Sequence, residues 1–299
     1  MCYSVLRCRR AFTIMELLVV VAIIALVSAV LIPSLVAARE RAHFVKWQAY
    51  SHSQRINNDL TVYFNFENQP DTATELKNSA AVDPNRAVRD VVEAEDSDGD
   101  FSQVLVGPSG VLPTWTDGRW NGKGALDFNG AVRSVVDVPD NPLLHNDRIT
   151  IFYSVMSENL AANDTILSKR NTDSGQGFAI EGTADSFNHN LYITASQQSP
   201  SPAQFENGRW QIIAVTWKPG DNIRMYHNHI DGSAGPTSEM TPAGSNLVID
   251  DSIFRLGDNT GSILRPFHGV MDEMAIYDSV LTSEQIAEHT RVGSPRNSH

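Results

Sequence analysis

The chain has 299 residues, 41% of them apolar and 19% charged, which is enough for one large domain or two small ones with their own cores and is unlike a disordered polypeptide. Its formal net charge is −12, and Arg7, Arg9 and Arg10 near the N-terminus offset a still more acidic remainder, a poor fit to a phosphate backbone; nucleic acid is set aside as a partner on that ground. Both cysteines, Cys2 and Cys8, fall in the first ten residues, so a disulfide framework is excluded for everything after them.

Residues 1–11 are short and basic, ending Arg9-Arg10-Ala11. An uncharged run from Leu17 to Ala38 follows. As a helix it spans about 30 Å, the thickness of a bilayer's hydrocarbon core. The basic residues before it predict a cytoplasmic N-terminus and a large domain on the outside. Glu16 is out of place at the mouth of this run, because a carboxylate in lipid is costly without a partner. Three plainer readings compete: an uncut signal anchor, a secretory signal cut after Val36-Ala37-Ala38, and a twin-arginine signal built on Arg9-Arg10-Ala11-Phe12. Each wants an uncharged start to its apolar core, which Glu16 interrupts. Beyond Ala38 a polar stretch remains helical to Asn57, with Val36, Ala42, Val45 and Ala49 at helical spacing.

The segment Ala11-Phe12-Thr13-Ile14-Met15-Glu16-Leu17-Leu18-Val19-Val20 resembles the prepilin signal of type IV pilins and type II secretion pseudopilins. The resemblance implies a prepilin peptidase that cuts between Ala11 and Phe12 and methylation of the new Phe12 amine. It also implies that Glu16 pairs with the N-terminal amine of a neighbouring pilin-like subunit. Pro33 falls where these proteins carry a helix-kinking proline, whose ring removes a backbone bond and bends the axis. Ala11 stands where the family usually has Gly. The implied layout is a leader over 1–11 and a pilin-like helix over 12–57 that spans the membrane at 17–38.

After the helix, Leu60-Thr61-Val62-Tyr63-Phe64-Asn65-Phe66 is β-branched and aromatic with near alternation, hence a strand. Further strands are predicted at 124–128, 132–138, 149–156, 165–168, 177–181, 190–195, 210–217, 222–227, 252–256 and 269–277. With no long helix between them, they predict a mainly β domain, a sandwich or jelly roll. Leu281 to Ala287 is the one helical piece, with Thr282 or Ser283 as cap and Gln285 closing a capping box. Four segments in order and spacing resemble a LamG-like, concanavalin A-like jelly roll over about 60–290, with 291–299 as a tail. They are Asn121 to Gly130, Gly208 to Trp217, Phe267 to Asp278, and Leu281 to Ile286.

That resemblance implies a structural calcium ion, held by Asp272 on the last strand and by oxygens at the end of the first, Glu67 and Asn68. The acidic run Glu93 to Asp100 is not an EF-hand, since Phe101 stands where the loop needs Gly; it reads as a solvated loop. His227 and His229 lie in a turn with no third ligand nearby in sequence. No strand carries the spaced carboxylates of a glycosidase, and there is no Gly-x-Ser-x-Gly elbow, so an enzyme is not expected. A glycan platform would use exposed aromatics, for which Trp115 and Trp120 are the candidates. Trp210 and Trp217, an odd number apart, face opposite sides of one strand, so at least one is core. The sequence thus predicts a pilin-like anchor displaying a LamG-like domain that binds glycan or protein outside a bacterial inner membrane. The rival is a structural pseudopilin with no ligand of its own, and a glycan-active enzyme is the distant third.

Overall fold

The computed structural model describes residues 13–67, 79–80, 93–95, 101–103, 113–120, 122–130, 134–138, 140, 142–171, 176–183, 186–193, 196–200, 203–249, 251–260 and 265–294. Ala11, Phe12 and Asn68 lie outside the described residues, as do Asp96 to Asp100 of the acidic run. The chain divides into two compact units, Met1–Val45 and Lys46–His299.

The first unit holds most of helix α1, Ile14–Gln54, which is long and apolar enough to cross a membrane. Its side chains from Leu17 to Val36 are almost all exposed, as a helix that meets lipid requires. Thr13 and Glu16 cap it reciprocally. The Thr13 N–H and hydroxyl both donate to Glu16 Oε2 at 2.9 Å, and the Glu16 N–H donates to Thr13 Oγ1 at 3.2 Å. This is a Thr-x-x-Glu capping box, which satisfies two of the helix's orphan donors. Pro33 lies inside the helix, and its missing N–H leaves the carbonyl of Ala29 without its usual donor.

The second unit begins with the last turns of α1 and continues into the strands. In chain order these are β1 (Leu60–Phe64), β2 (Glu93–Glu95), β3 (Phe101–Gln103), β4 (Thr114–Asp117), β5 (Gly124–Phe128) and β6 (Val136–Val138). Then come β7 (Ile149–Met156), β8 (Thr165–Asn171), β9 (Gln176–Gly182), β10 (Ser186–Ile193), β11 (Ser196–Gln198) and β12 (Ala203–Gln204). The last are β13 (Gln211–Trp217), β14 (Ile223–His227), β15 (Ser238–Met240), β16 (Phe254–Leu256) and β17 (Gly269–Tyr277), followed by helix α2 (Ser283–Gly293). One antiparallel sheet runs β15-β14-β13-β7-β17-β5-β4, with β1 also paired to β17. A second runs β11-β10-β9-β8-β16-β6, with β12 also paired to β10.

Val62, Phe128, Tyr153, Trp217 and Met274 from the first sheet meet Phe178, Phe187, Leu191 and Phe254 from the second in one buried cluster, so the sheets pack as a sandwich. The first sheet is buried on its other face too, where Tyr63, Phe152, Ile212, Ala275 and Tyr277 lie under Leu281 and Ile286. A sheet covered on both faces needs no polar alternation, and β13 is buried at every position. Trp217 is the core member of the tryptophan pair predicted to split across this strand.

Two β-bulges set the geometry of the base of the head. The pairing of β1 with β17 shifts register between Leu60 and Val62, which lets Leu60 and Tyr63 share one face at an odd spacing. The pairing of β17 with β7 shifts between Met271 and Glu273. Met271 and Met274 then both enter the sandwich core, and the intervening acids Asp272 and Glu273 both stay out of it. Helix α2 starts as predicted, with Thr282 as N-cap and Gln285 completing the box, and it runs on to Gly293. The acidic run differs from expectation at its start, since Glu93–Glu95 pairs with Phe101–Gln103 as a hairpin.

Candidate functional site

Asp272 and Glu273 anchor a buried ionic cluster on the outer side of the first sheet. The turn from Gly118 to Lys123 supplies its two cations. It is closed by the Gly118 N–H donating to the Lys123 carbonyl at 2.6 Å and the Lys123 N–H donating to the Trp120 carbonyl at 3.0 Å. Close approach demands glycine here: a Cβ on Gly118 would lie 2.7 Å from Asp272 Oδ2, and one on Gly124 would overlap the Phe66 carbonyl oxygen.

Arg119 is the hub. Its backbone N–H donates to Asp272 Oδ2 at 2.6 Å, its Nε stands 2.6 Å from Asp272 Oδ1, and its Nη2 bonds Glu273 Oε2. Its Nη1 donates to the Gly293 carbonyl at 2.8 Å, satisfying an orphan acceptor at the end of α2. Glu273 also accepts from the Tyr63 hydroxyl at 2.7 Å and from Trp47 Nε1 at 3.3 Å, and its Oε1 lies 3.2 Å from His289 Nε2. Tyr63 is in turn 2.8 Å from the Ser51 hydroxyl. The last turns of α1 therefore join the head through Trp47 and Ser51, both buried. Two buried cations face two buried anions, the balance a dry site demands. Burial alone would raise the Glu273 carboxyl; the Arg119 guanidinium overcomes this and holds its pKa well below the usual carboxylate range.

The sequence-derived calcium site maps onto this cluster, and its centre is filled by a side chain. Lys123 Nζ lies 2.9 Å from the Asn65 carbonyl, 2.5 Å from the Asp272 carbonyl and 3.4 Å from the Gly124 carbonyl. It is 3.7 Å from Asp272 Oδ1 and 3.9 Å from Glu67 Oε1. Phe66, held at a positive φ of 53°, turns the chain so that both Asn65 and Glu67 reach the ammonium. Asp272 and Glu67 thus both stand beside the Lys123 ammonium. A calcium ion does not fit among these oxygens while Lys123 is there, since ammonium and metal would compete for the same lone pairs. Burial pulls the Lys123 pKa below its usual value, opposed chiefly by the Asp272 charge.

The two tryptophan candidates separate. Trp120 is 7% exposed, 5.6 Å from the Trp47 ring centroid, with the Arg119 guanidinium 5.0 Å over its own ring. With neighbours on its ring it is no surface platform; it belongs to the joint between helix and head. Trp115 is half-buried on β4, at the end of the first sheet, edge-on to Phe66. The two turn histidines are spoken for separately: His227 Nε2 bonds Gln211, and His229 Nε2 is 2.7 Å from the Ser283 hydroxyl. Among the described residues, Asp140, His145 and Asp251 could gather ligand atoms within 4.8 Å of one another. One of the three, Asp140, is already bonded by the buried Lys169 Nζ, which also donates to the Ser252 carbonyl at 2.7 Å.

Sequence reasoning missed Arg119 and Lys123, because a lysine or arginine in a Gly-rich turn reads as solvated. The one available signal was the need for cations opposite Asp272-Glu273 in a strand that ends buried.

Comparison with known proteins agrees with both units. Residues 6–32 match the prokaryotic N-terminal methylation motif. Over 45 residues the chain is 53% identical to the type IV wide pilus major component PilA4 of Thermus thermophilus, an alignment covering 15% of this chain and 34% of that protein. The chain thus spans about a third of the length of the curated relative it matches. Among solved structures, domain 4 of the GH43 arabinanase AbnA from Geobacillus stearothermophilus superposes with a TM-score of 0.51 at 20% identity, covering 78% of this chain and 98% of that one. The binding domain of Paraclostridial Mosquitocidal Protein 1 gives 0.54 at 12% identity, covering 78% and 52%. The receptor binding domain of botulinum neurotoxin type G gives 0.51 at 14%, covering 78% and 51%. These likenesses establish the fold. Residues 129–287, just over half the chain, match the family described as the concanavalin A-like lectin/glucanases superfamily, and with that match the chain belongs to this superfamily, carried behind a prepilin-type N-terminus.

Proposed function

We propose that this chain is a membrane-anchored, pilin-like subunit that displays a LamG-like head for binding glycan or protein outside a bacterial inner membrane. The observation that carries the reading is the pairing, in one chain, of a prepilin-type segment with a lectin-type sandwich. In this reading prepilin peptidase cuts between Ala11 and Phe12, α1 anchors the subunit, and the head stays on the far side of the membrane from Arg7, Arg9 and Arg10. Glu16 leaves its capping box with Thr13 to meet the amine of a neighbouring subunit, exchanging two neutral hydrogen-bond donors for a charged one in a medium where an unpaired carboxylate is costly. The ionic cluster fixes the last turns of α1, from Trp47 to Ser51, to the strands of the head.

Trp115 is the aromatic we assign to ligand contact, because it is half-buried where Trp120 is buried. The AbnA domain was solved with arabinotriose, which makes that trisaccharide a first probe. The test is titration of the full chain in detergent with an oligosaccharide panel, read by tryptophan fluorescence. Saturable binding that is lost in Trp115→Ala supports the display reading. No saturable binding, together with loss of secretion when the gene is deleted, supports the second reading, a structural pseudopilin of a type II secretion system. The burial of Trp120, which removes half of the expected platform, is the observation that favours this rival. Hydrolysis of any member of the panel would instead make the head an enzyme.

A further inference from the structure

We infer that Lys123 is a built-in cation, doing at the base of the head what a calcium ion would do, so that the head's fold is independent of calcium. The Lys123 ammonium sits among oxygens from three separate segments. These are the Asn65 carbonyl and Glu67 carboxylate after β1, the Gly124 carbonyl at the start of β5, and the Asp272 carbonyl and carboxylate on β17. Hard oxygens from carbonyls and carboxylates, gathered around one point, are the ligand set calcium selects. Two of them, Asp272 Oδ1 and Glu67 Oε1, are buried and accept no hydrogen bond, so the nearby cations are what stabilises them. The ammonium is fully buried. It also lies 4.3 Å from the centroid of the Trp47 ring, which a metal held by oxygens alone would have no reason to face. One side chain thus closes the cage and ties the end of α1 to it.

A tethered cation differs from a bound one in a measurable way: its occupancy does not depend on the concentration of anything in solution. The inference therefore stands whether or not the head has a ligand. Removing the lysine side chain should leave an oxygen cage with excess negative charge, open to a metal whose remaining positions water can fill.

The test uses the full chain in detergent, as wild type, Lys123→Ala and Lys123→Met. The readouts are the Tm in EDTA and in millimolar calcium, and terbium luminescence sensitised by tryptophan. Terbium serves as the calcium probe, and Trp47 beside the cage is the antenna. The wild type is expected to keep its Tm in EDTA and to show no calcium-competed terbium signal. Lys123→Ala is expected to lose about 10 °C of Tm and to recover part of it in calcium. It should also gain a terbium signal that calcium competes away and magnesium, which wants a rigid octahedron, does not. Lys123→Met keeps the stem and removes the charge; it should lose Tm and gain no terbium signal, because the stem still fills the cage. A wild type with a calcium-competed terbium signal would overturn the inference, as would a Lys123→Ala chain indifferent to both metals. Should Lys123→Ala fail to fold, Lys123→Met decides: a Met variant as stable as the wild type would show that the ammonium is not needed.

Discussion

Replacing Glu273 by Gln changes one oxygen to an amide nitrogen and removes one charge, in a cluster where the charges balance. In the wild type Arg119 and Lys123 face Asp272 and Glu273, with Glu67 at the edge. In Glu273→Gln, two fully buried cations are left with one fully buried anion. Neutral partners are partly kept, since the Gln carbonyl can still accept from Tyr63 or Trp47, but one donor now meets an NH₂ group. Breaking a buried pair from one side costs about 3–5 kcal/mol, because the surviving charge is uncompensated in a medium that cannot hydrate it. The assay is urea denaturation of the full chain in detergent at neutral pH, with linear extrapolation. The pH dependence gives a second reading. The folded Glu273 pKa is depressed below 4.5, so its contribution is complete above the unfolded value and is lost as pH falls from about 4.5 through the folded pKa. Wild type minus variant should therefore shrink steadily below about pH 4.5. A cost under about 1 kcal/mol, the range of solvent-exposed pairs, would refute the claim that this cluster is dry and charge-balanced.

His189 is buried against the Tyr153 hydroxyl at 2.8 Å, and burial lowers its pKa from 6.5 to about 3. Folding requires it neutral, so stability is complete above about pH 6.5 and declines as pH falls, by about 2 kcal/mol at pH 5; the same comparison in His189→Leu should lack this loss. Trp47→Ala removes a fully buried indole from the joint and should cost about 3–5 kcal/mol, with hydrogen exchange rising first at 46–54. Gly124→Ala drives a methyl into the Phe66 carbonyl and should cost about 1–3 kcal/mol, where the same change at the open Gly235 costs little, as paired urea melts would show.

What could be read ahead of the structure follows from how local each signal is. β7 and β13 were legible because a sheet covered on both faces writes a continuous apolar run, and α2 because Thr282 and Gln285 write its capping box within four residues. β4 was not, since Thr114–Asp117 is a mostly exposed strand at the end of its sheet with little apolar pattern to show. The capping box of Thr13 and Glu16 is equally local, since the two residues stand three apart at the start of the helix. The jelly-roll likeness pointed to Asp272 and Glu67 as ligands of a metal ion. The lysine beside both was not legible, because its place depends on the bulge in β17 and on a turn of glycines, and both are visible only once the strands are paired. Trp115 and Trp120 look alike in sequence. The arrival of Trp47 from the distant end of α1, with Arg119 beside it, covers Trp120.

The central claim is that this chain is a processed pilin-like subunit carrying a lectin-type head. Intact mass and N-terminal analysis of the protein recovered from its native membrane test it most directly. The account predicts a mature chain that begins at methylated Phe12. A chain beginning at Met1 would instead be a plain membrane-anchored domain, and one beginning at Arg39 a secreted one; either would contradict the pilin reading.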